Sequence, residues 1–102
     1  MGVMRIPRES REYLPVAVIA NQDLTGLPVH MQVLPNGVRP SVDGWQVAEW
    51  GTDGQGRTIA KILIGPGTHF DLSGSPGTYI PWVRVTTNQE LPVVEGQPVD
   101  IT

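Results

Sequence analysis

"LPVHMQVL", residues 27–34, decides the fold. In an extended chain Leu27, Val29, Met31 and Val33 fall on one face, with Pro28, His30 and Gln32 on the other, because successive side chains of a strand point to opposite sides. A helix would need apolar residues at i, i+3 and i+4. No useful length of the chain has that spacing.

The same short period runs outward in both directions. Downstream, "PNGVRPSVDG" (35–44) is loop material, with Asn36-Gly37 and Asp43-Gly44 as turn signals. "WQVAEW" (45–50) then alternates Trp45, Val47 and Glu49 with Gln46, Ala48 and Trp50. After "GTDGQG", "RTIAKILI" (57–64) sets Ala60, Ile62 and Ile64 against Ile59, Lys61 and Leu63. A glycine-punctuated connection, "GPGTHFDLSGSPG" (65–77), launches "TYIPWVRVTT" (78–87), and "LPVV" and "QPVDIT" close the chain around Glu95-Gly96. Upstream lies the apolar run "YLPVAVIA" (13–20). About seven short strands, with turn signals roughly every 8–12 residues, predict an all-β, Ig-like antiparallel β-sandwich.

Two residues refine that expectation. Tyr79 stands at the start of a strand, where a tyrosine can pack back on the corner it follows. Pro81 has no N–H for a ladder, so its place is expected at an edge or a bulge. Pro15, Pro28, Pro92 and Pro98 repeat the theme, as blunted edges or as edges shaped for a neighbour.

Residues 1–12, "MGVMRIPRESRE", read differently from the sandwich domain expected over 13–102. Charges of both signs cluster around Pro7. Fully extended, twelve residues span ~40 Å, well beyond the ~13 Å radius of gyration of a domain this size. The expectation is an extended N-terminal arm that contacts neighbouring subunits, with Arg5, Arg8 and Arg11 as bidentate partners for carboxylates. The competing expectation is an extra edge strand on the chain's own sandwich.

Composition excludes much chemistry. A net charge of −3 argues against a broad nucleic-acid-binding face. The chain has no cysteine, so disulfides, thiol chemistry and Cys-based zinc sites are ruled out. No apolar run approaches a membrane span of ~20 residues, and the N-terminus has no signal-peptide core. The expectation is a soluble protein made in a cytoplasm.

Candidate constellations are few. His69 and Asp71 could orient a base, but no activated nucleophile accompanies them. "TDGQG" offers Asp53 alone where a calcium loop needs several oxygen ligands. The glycine clusters lack a phosphate-cradling pattern. Trp45, Trp50 and Trp82 could form a sugar platform, yet Trp45 and Trp50 face opposite ways on a regular strand. No catalytic residue, metal or cofactor is expected. Tyr13, Trp50 and Trp82 join the three arginines as candidate contact residues.

The succession "IPRESREYLPV", "DLTGLPV", "WQVAEW", "AKILIGPGT" and "GTYIPWVRVTTNQELPVVEGQPVDIT" spans almost the whole chain. Its order and spacing resemble the LtfC-like small β-sandwich virion proteins of tailed phages infecting mycobacteria and related actinobacteria. The resemblance implies a non-enzymatic structural role in the virion, as a capsid decoration or minor capsid protein. Its partners would be other virion proteins (major capsid, connector or tail subunits) and further copies of itself. A head–tail connector or tail protein, or a tail-borne glycan- or receptor-binding module, is the alternative.

Overall fold

The period-2 pattern becomes strand throughout: among residues 4–20 and 22–102, which the computed structural model describes, there are nine strands in two sheets and no helix. In chain order they are β1 (Met4–Ile6), β2 (Glu12–Ala17), β3 (Val29–Pro35), β4 (Gln46–Val47), β5 (Glu49–Thr52), β6 (Thr58–Ile64), β7 (Gly77–Val85), β8 (Val93–Glu95) and β9 (Val99–Ile101). The larger sheet runs β1-β9-β7-β3-β4, with β8 also pairing β7, and the smaller runs β2-β6-β5. Named strands pair antiparallel, apart from β1 with β9.

The core is where the alternations meet. Val29, Met31 and Val33 of β3 and Val83 and Val85 of β7 share one buried cluster with Leu14 and Val16 of β2 and Ala60, Ile62 and Ile64 of β6. Both faces read from the sequence for residues 27–34 and 57–64 therefore point as expected, and the arrangement is consistent with a β-sandwich. Burial of each aliphatic side chain supplies roughly 1.5–3 kcal/mol, which identifies this cluster as the main stabilising element.

The expected arm is corrected by the structure. Met4–Ile6 pairs in parallel with Val99–Ile101, and Ile6 is buried in the core. Thr102 N–H donates to the Ile6 carbonyl at 3.0 Å, and Arg8 Nε–H donates to the Thr102 carbonyl at 3.0 Å. Ile6 is the buried apolar residue that seats the strand, on the edge of β9 that β7 leaves open. Strand β2 begins at Glu12, so the described part of residues 1–12 is an edge strand and its connection rather than an arm. Met1–Val3 lie outside the described residues.

Prolines occupy ladder positions where a missing N–H does little harm. The bond from Val18 N–H to Thr58 O fixes the parity of β2 against β6. It turns the nitrogen of Pro15, opposite Lys61, toward the open edge of β2. Pro81 lies not at an edge but in the middle of β7, the strand that pairs β3 on one side and both β8 and β9 on the other, and stands opposite the one-residue register slip between Tyr79↔Val99 and Trp82↔Glu95, a bulge-type position. Its nitrogen faces the point where β9 hands over to β8, and its carbonyl still accepts Gly96 N–H at 2.8 Å. One rung is halved, and the sheet continues.

The outer face of the larger sheet is covered by the loop between β3 and β4. Gln32 Nε2 donates to the Ser41 carbonyl at 2.7 Å, and the Arg39 guanidinium lies 5.1 Å from the Trp82 ring centroid. Ile80 and Trp82, which alternate with the core-facing residues of β7, are both buried, Trp82 beneath Arg39 of this loop. At the start of β7, Tyr79 Oη donates to the Ser75 carbonyl at 2.6 Å.

A candidate docking cleft

"WQVAEW" is not one strand. Gln46 and Val47 pair with β3 in the larger sheet, whereas Glu49 to Thr52 pair with β6 in the smaller one. The chain changes sheets at the buried Ala48, whose N–H still donates to the Val29 carbonyl at 3.0 Å. This crossing opens a cleft of about 530 Å³ between the departing strand and β6.

Ladder parity shows what faces it. Asp53 N–H donates to Arg57 O at 3.0 Å, so Gly51:Ile59 and Glu49:Lys61 are the hydrogen-bonded rungs of β5 and β6. The next such rung would join Val47 to Leu63, but Val47 has left for the other sheet. Leu63 meets Tyr13 on its other side at a non-hydrogen-bonded position, so its N–H and C=O point into the gap. The carbonyl is met by the Phe70 N–H in the parallel bridge of Phe70 with Ile64, which leaves the N–H facing the gap. The bond from Ala48 to Val29 likewise turns the Val47 backbone groups away from β3. Beyond the gap, Phe70 bridges to Ile64, and Phe70 O accepts Gly65 N–H at 3.1 Å, closing the far end.

Charged and aromatic side chains surround this opened rung. Arg11, Tyr13, Glu49, Lys61 and His69 line the cleft, together with Val47, which is 79% exposed. Arg11 Nε–H donates to the Pro66 carbonyl at 3.0 Å and so holds the guanidinium beside the 65–68 turn. That turn depends on glycine: Gly65 has φ +117°, and a Cβ there would collide with the Ser10 backbone. The Lys61 ammonium sits 4.7 Å from the Tyr13 ring centroid. Glu49, hydrogen-bonding and repelling from beside it, pushes the Tyr13 phenol above its ordinary pKa.

The structure therefore brings together Arg11 and Tyr13 of the six expected contact residues. Arg5 lies on β1 in register with Asp100, and Arg8 is held at Thr102, both at the opposite edge of the larger sheet. Trp50 faces inward, half-buried against the core, with Nε1–H donating to the Leu27 carbonyl at 2.8 Å. Trp82 is 7% exposed under Arg39. Neither indole is a free platform, and Trp45 is itself capped by Arg84 at 4.9 Å. Lys61, Glu49, Val47 and Leu63 were not singled out from sequence, since only the change of sheets at Ala48 makes them neighbours of one opening.

The weaker chemical motifs resolve into turns. The Asp71 carboxylate accepts from Ser73 N–H at 3.1 Å and Ser73 Oγ at 2.7 Å, which lowers its pKa, while the His69 ring packs edge-on against Phe70. Asp53 accepts from the N–H groups of Gln55 and Arg57 and pairs with Arg57 Nε at 2.7 Å, closing the β5–β6 hairpin. The Arg57 backbone bond leads in holding this carboxyl below its usual range. Among the described residues no group of three metal-ligating side chains gathers, and no helix is long and apolar enough to cross a membrane. In comparisons with protein-family models, curated proteins and solved structures, nothing matches the chain.

Proposed function

We propose that this chain is a non-enzymatic structural protein of a tailed-phage particle, an Ig-like β-sandwich that docks on neighbouring subunits through the Val47–Leu63 cleft. Its place in a virion, as a capsid decoration or minor capsid protein, rests on the resemblance in the order of its sequence motifs. The Ig-like reading is supported by the strand orders β2-β6-β5 and β4-β3-β7-β9, by β1 running parallel to the last strand, and by the Tyr79 hydroxyl reaching four residues back.

The observation that carries the docking role is Tyr13 and Arg11 on one cleft beside an exposed Val47. Tyrosine and arginine are enriched at protein interfaces and among their hot spots, surrounded by polar residues that exclude water. Repeated copies on a symmetric particle would make a modest contact effective through avidity.

The test is quantitative mass spectrometry of purified particles carrying wild-type chain or Tyr13→Ala. A wild-type ratio near that of the major shell protein, with Tyr13→Ala folded but depleted, is the expected result. Absence of the wild-type chain from particles would remove the virion reading. Normal incorporation of Tyr13→Ala would remove the cleft as its docking surface.

A further inference from the structure

The outer face of the larger sheet carries polar groups that the fold itself does not use. Among the described residues, three buried side-chain nitrogens have no hydrogen-bond partner: His30 Nδ1, Arg84 Nε and Trp82 Nε1. All three belong to neighbouring rungs of β3 and β7. His30 stands opposite Arg84, and Gln32 opposite Trp82. These residues alternate with the core-facing Met31, Val33, Val83 and Val85, so their side chains share the outer face. A buried polar group left unpaired costs free energy, and three on one face of one strand pair mark a place that a further polar group would stabilise.

Two of the three fix the chemistry of that group. An indole N–H and a guanidinium Nε–H only donate, so what they require is an acceptor. Arg39, 5.1 Å from the Trp82 ring centroid, and Arg84, 4.9 Å from that of Trp45, make the face cationic. The only salt bridge among the described residues joins Arg57 to Asp53, so neither of these guanidiniums meets a carboxylate. Arg84 Nε–H and the terminal N–H beside it form the fork that takes a carboxylate side-on. Glu95, opposite Trp82 on β8, is the one acid in these rungs. Its charge opposes a dianion more than it opposes a single carboxylate.

The neighbouring side chains shape the ligand further. The rung through Arg84 reads Val47, His30, Arg84, Val93 from β4 to β8, cationic in the middle and apolar at both exposed ends. The cover over Trp82 is the exposed side chain of Arg39, which can turn aside while the backbone stays in place. We infer that this face binds a carboxylate of a partner protein, an Asp or Glu side chain flanked by apolar neighbours, with Arg84 Nε–H and Trp82 Nε1–H as its donors. The site needs no contribution from the cleft beside β6.

The probe is acetyl-Val-Glu-Val-amide, titrated into ¹⁵N-labelled full chain at constant ionic strength in mildly acidic buffer. The expected result is a saturable downfield movement of the Trp82 indole N–H and the Arg84 Nε–H in the millimolar range. The Trp50 indole N–H, already bonded to the Leu27 carbonyl at 2.8 Å, should stay in place. Acetate should reproduce the movement more weakly, and acetyl-Val-Gln-Val-amide should not reproduce it. Arg84→Lys keeps the charge and removes the fork, so it should weaken binding about tenfold, read at the Trp82 signal. A wild-type titration that leaves both signals unmoved would overturn the inference. So would equal movement with the Gln peptide, which would mean an apolar contact only, or a stronger response to inorganic phosphate than to either carboxylate.

Discussion

The Tyr79 hydroxyl donates to the Ser75 carbonyl at 2.6 Å, and the ring itself is buried, so one side chain ties the start of β7 to the turn that precedes it. Tyr79→Phe keeps the ring and removes the bond. The expected loss is about 1 kcal/mol, the net value of one such hydrogen bond. Urea denaturation of the two proteins measures it; an unchanged midpoint would mean that the turn holds without the tether.

Trp82 and Arg39 form a pair of unequal partners. Trp82→Ala empties a buried site and should cost about 3–5 kcal/mol. Arg39→Ala removes a cation over the ring and should cost about 0.5–1 kcal/mol. Comparable losses for the two would show that the 36–44 loop, rather than the indole, carries the stability of that face. The Trp82 emission maximum should move toward red in Arg39→Ala as the ring meets water.

Ile6 separates the two roles that the N-terminal segment could have. Seated on the chain's own β9, it belongs to the folding unit, and Ile6→Ala should destabilise dilute protein by about 2–5 kcal/mol. Dependence of that loss on protein concentration would instead mean that β1 is supplied by another copy.

Glu49 and Tyr13 make a pH signature of the cleft. The folded phenol ionises above its ordinary 10.0, so neutral Tyr13 is the form the fold favours. Its contribution is present below the ordinary value and is lost as pH rises through the raised one. Glu49→Gln should move Tyr13 ionisation down toward 10.0, read by ultraviolet difference spectra against Tyr13→Phe. An unmoved titration would place the cause elsewhere.

Much of the fold was legible because a half-buried strand writes its faces in alternate residues. Val29, Met31 and Val33, and Ala60, Ile62 and Ile64, were read correctly for that reason. Gln32 was not: it sits on the face that alternation marks as outer and is 1% exposed, because a loop returns to cover it and satisfies its amide. Burial by a loop leaves no periodic trace. Pro81 was read as an edge or bulge residue, since sequence shows a missing donor but not that β8 and β9 exchange places opposite it. The "WQVAEW" run has the alternation of one strand, and both faces came out as read, yet its halves pair in different sheets. Periodicity reports which way a side chain points and is silent about which neighbour takes the backbone bonds. The cleft was therefore only partly visible, through Arg11 and Tyr13.

Strands β1 and β9 lie side by side and run the same way, with Met4, Arg5 and Ile6 opposite Val99, Asp100 and Ile101. Tension between Met4 and Thr102 draws β1 backward and β9 forward, so the two slide along each other. Sliding strains all their bonds at once, where a hairpin pulled from its open end would unzip them singly. We predict one force peak in single-molecule extension that vanishes when residues 1–6 are removed; smooth lengthening of the intact chain would refute it. The edge that completes the larger sheet is, by its direction alone, a mechanical clasp between Met4–Ile6 and Val99–Ile101.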